Sequence, residues 1–145
     1  MLVQYKIALL LFPLFLVLQV SAQSDKIEGL WYNQEKTAKV KIYKAKNDKF
    51  YGKIHWLKEP VVDGKERTDE NNPDKSKQND SLIGLVMLKG FVKSGTDKYE
   101  DGTIYDPKNG KTYSCVITHK GDKLDVRGYA GVAMLGRTTV WTRAD

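Results

Sequence analysis

The chain has 145 residues, 24 Lys and Arg against 18 Asp and Glu, a net charge of +6, 41% hydrophobic residues and a single Cys. One Cys excludes an internal disulfide and a zinc cluster, and this apolar content excludes a disordered chain. One globular domain is the expected content.

Residues 1–22 carry one charge, Lys6, followed by an apolar run broken by Pro13 and Gln19, then Val20-Ser21-Ala22 ahead of Gln23. A short apolar run that ends in small residues reads as a cleaved secretory signal peptide, so the protein is expected in the periplasm or outside the cell. The run falls short of the ~20 residues that span a bilayer. Residues 23–145 then form the domain, with 23 basic and 18 acidic side chains and a charge of +5. An exported domain without disulfides draws its stability from packing and backbone pairing. Cys115 reads as a small buried hydrophobe, because neither His55 nor His119 stands in a motif-like relation to it.

From Gly29 onward the apolar spacing has a period near two, with turn residues every eight to twelve positions, which predicts antiparallel strands. Val40 and Ile42 alternate with lysines. Asn47 and Asp48 turn the chain, and Phe50, Gly52, Ile54 and Trp56 then alternate with Tyr51, Lys53 and His55, giving a hairpin with one apolar and one charged face. Residues 58–81 lose the pattern; a loop this long is either a lid or a solvated insertion. Residues 83–87 are apolar on both faces and are expected to be covered on both sides. Asp106-Pro107-Lys108-Asn109-Gly110 predicts a tight hairpin with Asn109 and Gly110 at positive φ. Gly121 and Asp122 turn the chain into Leu124 and Val126, and residues 138–143 close the domain. About eight strands fit, enough for an all-β, single antiparallel barrel without exposed sheet edges.

Gly29-Leu30-Trp31 at the first strand and Trp141-Thr142-Arg143 at the last resemble the Gly-x-Trp and terminal Arg arrangement that plugs one end of lipocalin-like barrels. An Arg from the last strand can lie over the indole face, a contact worth ~1 kcal/mol or more when desolvated. Further blocks follow in order: Gly52-Lys53-Ile54-His55-Trp56-Leu57, Asp69 through Asn72-Pro73-Asp74, Leu82-Ile83-Gly84, Ile104-Tyr105-Asp106-Pro107 with Gly110-Lys111-Thr112-Tyr113, and Leu124-Asp125-Val126-Arg127-Gly128-Tyr129 leading to Leu135-Gly136-Arg137. Through these the chain, from Gly29 to Arg143, resembles the bacterial exported family called domain of unknown function 2147. The resemblance implies a lipocalin-like barrel and an exported protein, and no activity. Family members often carry a Trp and paired glycines ahead of the Ile-Tyr-Asp-Pro block; Tyr99, Asp101 and Gly102 stand there in this chain, and the fold is expected to survive.

The chemistry-bearing residues point to binding more than to catalysis. His55, His119 and Cys115 supply no metal spacing, and the window from Asp69 to Asp80 fails as a calcium loop, since Pro73 occupies a ligand position and Asp74 the place of the glycine. No nucleophile elbow, phosphate loop or dinucleotide fingerprint is present, so neither metal nor cofactor is expected. Export and the lack of an aromatic platform argue against nucleic acid. Lysines at alternate strand positions, such as Lys39, Lys41 and Lys53, solubilise an outer wall and attract an anionic surface weakly. The leading expectation is a barrel that binds a small, largely apolar ligand inside, against Phe50, Ile54, Trp56, Tyr105, Tyr113 and Ile117, with Arg127 and Tyr129 turned to the mouth by Gly128 and Gly131. The alternatives are an envelope interaction module that uses the 58–81 loop or the basic face, and an enzyme of unstated class built on Asp69, Asp106, Arg127 and Tyr129 in one cleft.

Overall fold

The computed structural model describes residues 23–145 together with Leu2 and Leu18. The expected signal peptide, residues 1–22, lies outside them apart from those two.

Eight strands close an antiparallel barrel: β1 (Gly29–Tyr32), β2 (Ala38–Lys44), β3 (Phe50–Leu57), β6 (Val86–Lys93), β7 (Lys98–Asp106), β8 (Lys111–Lys120), β9 (Lys123–Tyr129) and β10 (Arg137–Arg143). Their order around the wall is β1-β10-β9-β8-β7-β6-β3-β2, so first and last strands pair through Trp31 with Arg143 and Tyr32 with Thr142. Closure removes the free edges of a sheet. Alternation then sorts the side chains: Val40 and Ile42, Cys115 and Ile117, and Leu124 and Val126 are buried inside. Burial pushes the Cys115 thiol up to about 12, which keeps it protonated and inert.

Strand β3 departs from the expected alternation. Val40 pairs with Ile54 and Lys39 with Trp56, so His55 is one residue too many and the strand bulges. The bulge moves Trp56 to the outer wall, where it is 36% exposed. There it packs edge-on against Tyr32 at 6.2 Å, under Lys39 Nζ at 5.1 Å. Leu57 turns inward in its place.

The connection between β3 and β6 is ordered. It holds a short hairpin of β4 (Val61–Val62) and β5 (Lys65–Glu66), a bridge between Thr68 and Ser81, and a 3-10 turn over Lys75–Lys77. Asp74 caps that turn by accepting the Ser76 amide at 3.0 Å. The apolar stretch expected to be covered on both faces splits: Leu82 is buried against Ile54 and Leu57, Ile83 is exposed, and β6 begins only at Val86.

The β7–β8 turn is longer than the expected two-residue hairpin. Asp106 O accepts from Asn109 N at 3.3 Å and Gly110 N at 2.8 Å, and Gly110 has φ +70°, whereas Asn109 is not at positive φ. Glycine is required at 110 for a second reason. A Cβ there would overlap the Asn71 carbonyl oxygen of the long connection. At the departure from the common family pattern, Asp101 takes φ +62° and Gly102 leaves room for the buried Phe91 ring, so the strand bulges and the barrel stays closed.

Candidate functional site

Antiparallel strands alternate in direction, so the connections divide between the two barrel ends. The N-terminal segment, the β2–β3, β6–β7 and β8–β9 turns and the C-terminus share one end. The β1–β2 loop, the long β3–β6 connection, the β7–β8 turn and the β9–β10 segment share the other.

The first end is filled. Trp31 is fully buried and donates its indole N–H to Ile27 O at 2.8 Å. Arg143 lies over the Trp31 ring with its guanidinium carbon 3.9 Å from the centroid, and donates to Glu28 O at 2.7 Å and Lys26 O at 2.5 Å. Gly29 lets the backbone pass close to Arg143 and Asp145. Asp25 accepts from the Tyr99 hydroxyl and pairs with Lys93 at 2.7 Å. Burial and the Asp25 bond together push the Tyr99 phenol far up, so it stays a donor. Inward of this lid, Phe50 meets Tyr99 edge-on at 5.2 Å, packed with Ile117, Phe91 and Leu88 in a closed core.

The second end holds a cavity of about 630 Å³. Its deep wall is Val40, Ile54, Met87, Ile104, Val126 and Trp141, and Leu57 and Leu82 continue it upward. Tyr105, Tyr113 and Tyr129 stand higher, and Glu35, Arg67, Asp106, Lys108 and Arg137 ring the mouth. The indole N–H of Trp141 is satisfied by Thr139 Oγ1 at 3.1 Å, leaving the ring as apolar surface. Trp141 therefore faces the cavity, while Trp31 and Arg143 plug the opposite end.

The long connection is fastened over this mouth through a buried carboxylate. Asp69, 1% exposed, accepts the Tyr105 hydroxyl at 2.7 Å and the Asn72 side-chain amide at 2.7 Å. Its backbone N–H reaches Asp80 O at 2.9 Å. Burial, then the Asp69 bond, raise the Tyr105 phenol to about 12. Asn71 adds a second fastening by donating its side-chain amide to Pro107 O at 3.0 Å and Lys108 O at 3.1 Å.

Of the residues expected to face a ligand, Ile54, Tyr105, Tyr113 and Tyr129 line this cavity. Phe50 and Ile117 lie in the closed core, Trp56 is outside through the bulge, and Arg127 points away from the interior. Arg127 donates to Thr138 Oγ1 at 2.8 Å and Met134 O at 3.1 Å, because alternation sends it outward from Val126 and the glycines do not reverse it. The four residues of the enzyme alternative are not gathered either: Asp106 and Tyr129 line the cavity, Asp69 is bonded to Tyr105 and enclosed, and Arg127 lies on the outer side. Among the described residues no group of three or more His, Cys, Asp or Glu is placed to hold a metal ion. Arg67, Leu82, Ile104 and Arg137 were not among the expected contacts. The signal for them was the alternation of strand direction, which puts all four near one barrel end.

Comparison with known proteins agrees with this architecture. A solved structure described as protein HP1028 from the human pathogen Helicobacter pylori, said to belong to the lipocalin family, is 26% identical, with a TM-score of 0.72 over 84% of this chain and 85% of that one. No curated protein matches the chain. The family described as an uncharacterized protein conserved in bacteria, DUF2147, matches residues 29–143, and this chain, a lipocalin-like β-barrel, belongs to it.

Proposed function

We propose that the protein is exported and binds a small, largely apolar ligand in the open half of its barrel. The observation that carries this reading is the 630 Å³ cavity walled by Val40, Ile54, Ile104, Val126 and Trp141, within the ~300–1,000 Å³ range of small-molecule sites. Burial of apolar ligand surface supplies affinity at about 25 cal/mol per Å² before the costs of association. Support for export is the charge, apolar run and small-residue site of residues 1–22.

The test is to express the full chain with its own N-terminus, purify it from the cell envelope, and compare native with denaturing mass spectra. A small molecule lost on denaturation, together with a change in fluorescence on delipidation that Trp141→Phe abolishes, is the expected result. An envelope-derived protein that carries no such molecule and shows no Trp141 response to any added apolar compound defeats the reading.

An interaction module is the second reading, and its support is the exposure of Val61 and Val62 on the β4–β5 hairpin. Val61→Ser with Val62→Ser tests it without disturbing Asp69 and Leu82, which hold the long connection against the barrel. Unchanged capture of envelope proteins by the double variant would dismiss it.

A further inference from the structure

The mouth of the cavity differs from the filled end in how its cations are paired. At the filled end Arg143 pairs with Asp145 and Lys93 with Asp25. At the mouth, Arg67, Lys108 and Arg137 form no ion pair among the described residues. Arg67 is the telling member. It is half-buried and lines the cavity beside Leu82, and its side chain makes no hydrogen bond among the described residues. Its backbone is held on both sides: the N–H donates to Pro60 O at 3.0 Å, and the carbonyl accepts from Leu82 N at 3.1 Å. The chain therefore fixes where this guanidinium starts and leaves its five donors unused. Neither acid of the cavity lining forms an ion pair with it. Glu35 is exposed, and Asp106 turns one carboxylate oxygen to the Lys108 amide at 2.9 Å.

A half-buried arginine that forms no ion pair among the described residues, at the rim of an apolar chamber, fits a ligand that has both an apolar body and an anionic end. We infer that the ligand is a single-chain amphiphile with an anionic head, its chain lying along Ile54, Ile104, Val126 and Trp141 and its head held by Arg67. The inference rests on the apolar-cavity reading above. Size agrees with a single chain, since about 630 Å³ lies within the ~300–1,000 Å³ range of small-molecule sites. Orientation follows from the fold, because the deep wall offers an acid nothing that would replace its water, whereas the rim offers a guanidinium that can bind a carboxylate through two parallel bonds.

Dodecanoate and dodecan-1-ol separate the contributions of chain and head, since they share the chain and differ at one end. Binding of each, below its aggregation limit, is followed by calorimetry with the intact protein and with Arg67→Gln and Arg67→Lys. The expected result is that dodecanoate binds at least about tenfold tighter than the alcohol and weakens as salt is raised. Arg67→Gln should lose about tenfold to a hundredfold for dodecanoate and leave dodecan-1-ol within about twofold, and Arg67→Lys should recover part of the loss. Because the Arg67 side chain holds nothing else in place, these variants are expected to fold; a thermal scan checks it. Equal binding of acid and alcohol, or wild-type affinity for dodecanoate in Arg67→Gln, overturns the anionic head and leaves the apolar cavity standing. Failure of both compounds to bind overturns the cavity reading and this inference with it.

Discussion

Replacing Tyr105 by Phe isolates the bond that fastens the long connection over the cavity mouth. Phe keeps the ring against the cavity and removes the hydroxyl that Asp69 accepts at 2.7 Å. Asp69 is enclosed at 1% exposure, so water cannot readily replace the lost donor, and the Asn72 amide at 2.7 Å remains its side-chain partner. A hydrogen bond to a charged group contributes about 1.5–3 kcal/mol, which corresponds to a roughly tenfold to hundredfold rise in opening of the segment it holds. The loss should be local, because the barrel strands on either side of Tyr105 keep their own pairing. Native-state hydrogen exchange reads this at the amides of Asp69, Asn72 and Leu82, which bond to Asp80 O, Asp69 O and Arg67 O. Those three should exchange about tenfold or more faster, while amides of β8 and β9 change little. Tyr113→Phe is the control. The Tyr113 hydroxyl accepts from Asn109 at an exposed turn, and its removal should cost less than ~0.5 kcal/mol. Unchanged exchange at Asp69 and Asn72, or an equal acceleration throughout the barrel, would refute the view that the carboxylate is a local fastening.

Three other outcomes follow from the packing. Arg143→Ala removes the stack on Trp31 and two charge-assisted bonds to carbonyls, and should lower unfolding free energy by about 2–4 kcal/mol in urea, with Arg143→Lys losing less; a change under ~0.5 kcal/mol contradicts the plug. Gly110→Ala places a methyl group on the Asn71 carbonyl oxygen at a residue with φ +70°, so it should destabilise by more than ~1 kcal/mol, and Asn71→Ala should not rescue it because the obstructing atom belongs to the backbone. Burial first, and the neighbouring Lys26 next, hold the His119 imidazole below its ordinary range, and its Nε2 is buried without a partner. The unfolded chain then binds the proton more readily, so this contribution is present above about pH 6.5 and is lost as pH falls through the lower folded value. Between pH 7 and 5 the wild type should lose more stability than His119→Gln, and parallel pH curves would argue against it.

How much of this was readable depended on whether a residue's environment is set by its neighbours in sequence. The strand pattern was readable because alternation is a local property: Val40 with Ile42 and Leu124 with Val126 face inward in the order their spacing implies. Closure followed from strand count and the absence of a covering element, and the chain does pair β1 with β10. Trp56 was misplaced because one extra residue at His55 reverses every side chain beyond it, and nothing in Gly52-Lys53-Ile54-His55-Trp56-Leu57 announces the bulge. The β3–β6 connection was opaque for a different reason. Its order comes from partners distant in sequence, Asp69 with Tyr105 and Asn71 with the β7–β8 turn, and such contacts leave no period behind.

The division of the barrel into a filled and an open half has a physical cause in where the large side chains fall. Phe50, Phe91, Tyr99 and Trp31 all project into the half closed by Arg143, and their rings occupy it from wall to wall. In the other half Trp141 is the one large ring on the deep wall, beside Val40, Ile54, Met87, Ile104 and Val126, and Gly128 contributes no side chain at all. Smaller residues on an equally wide barrel leave volume, and the 630 Å³ cavity is that difference. Close aromatic packing and open volume thereby lie at opposite ends. On the proposed reading, a substitution among the aromatic residues should be felt in unfolding with ligand affinity unchanged, whereas one at Ile54 or Val126, which are buried core as well as cavity wall, should be felt in both.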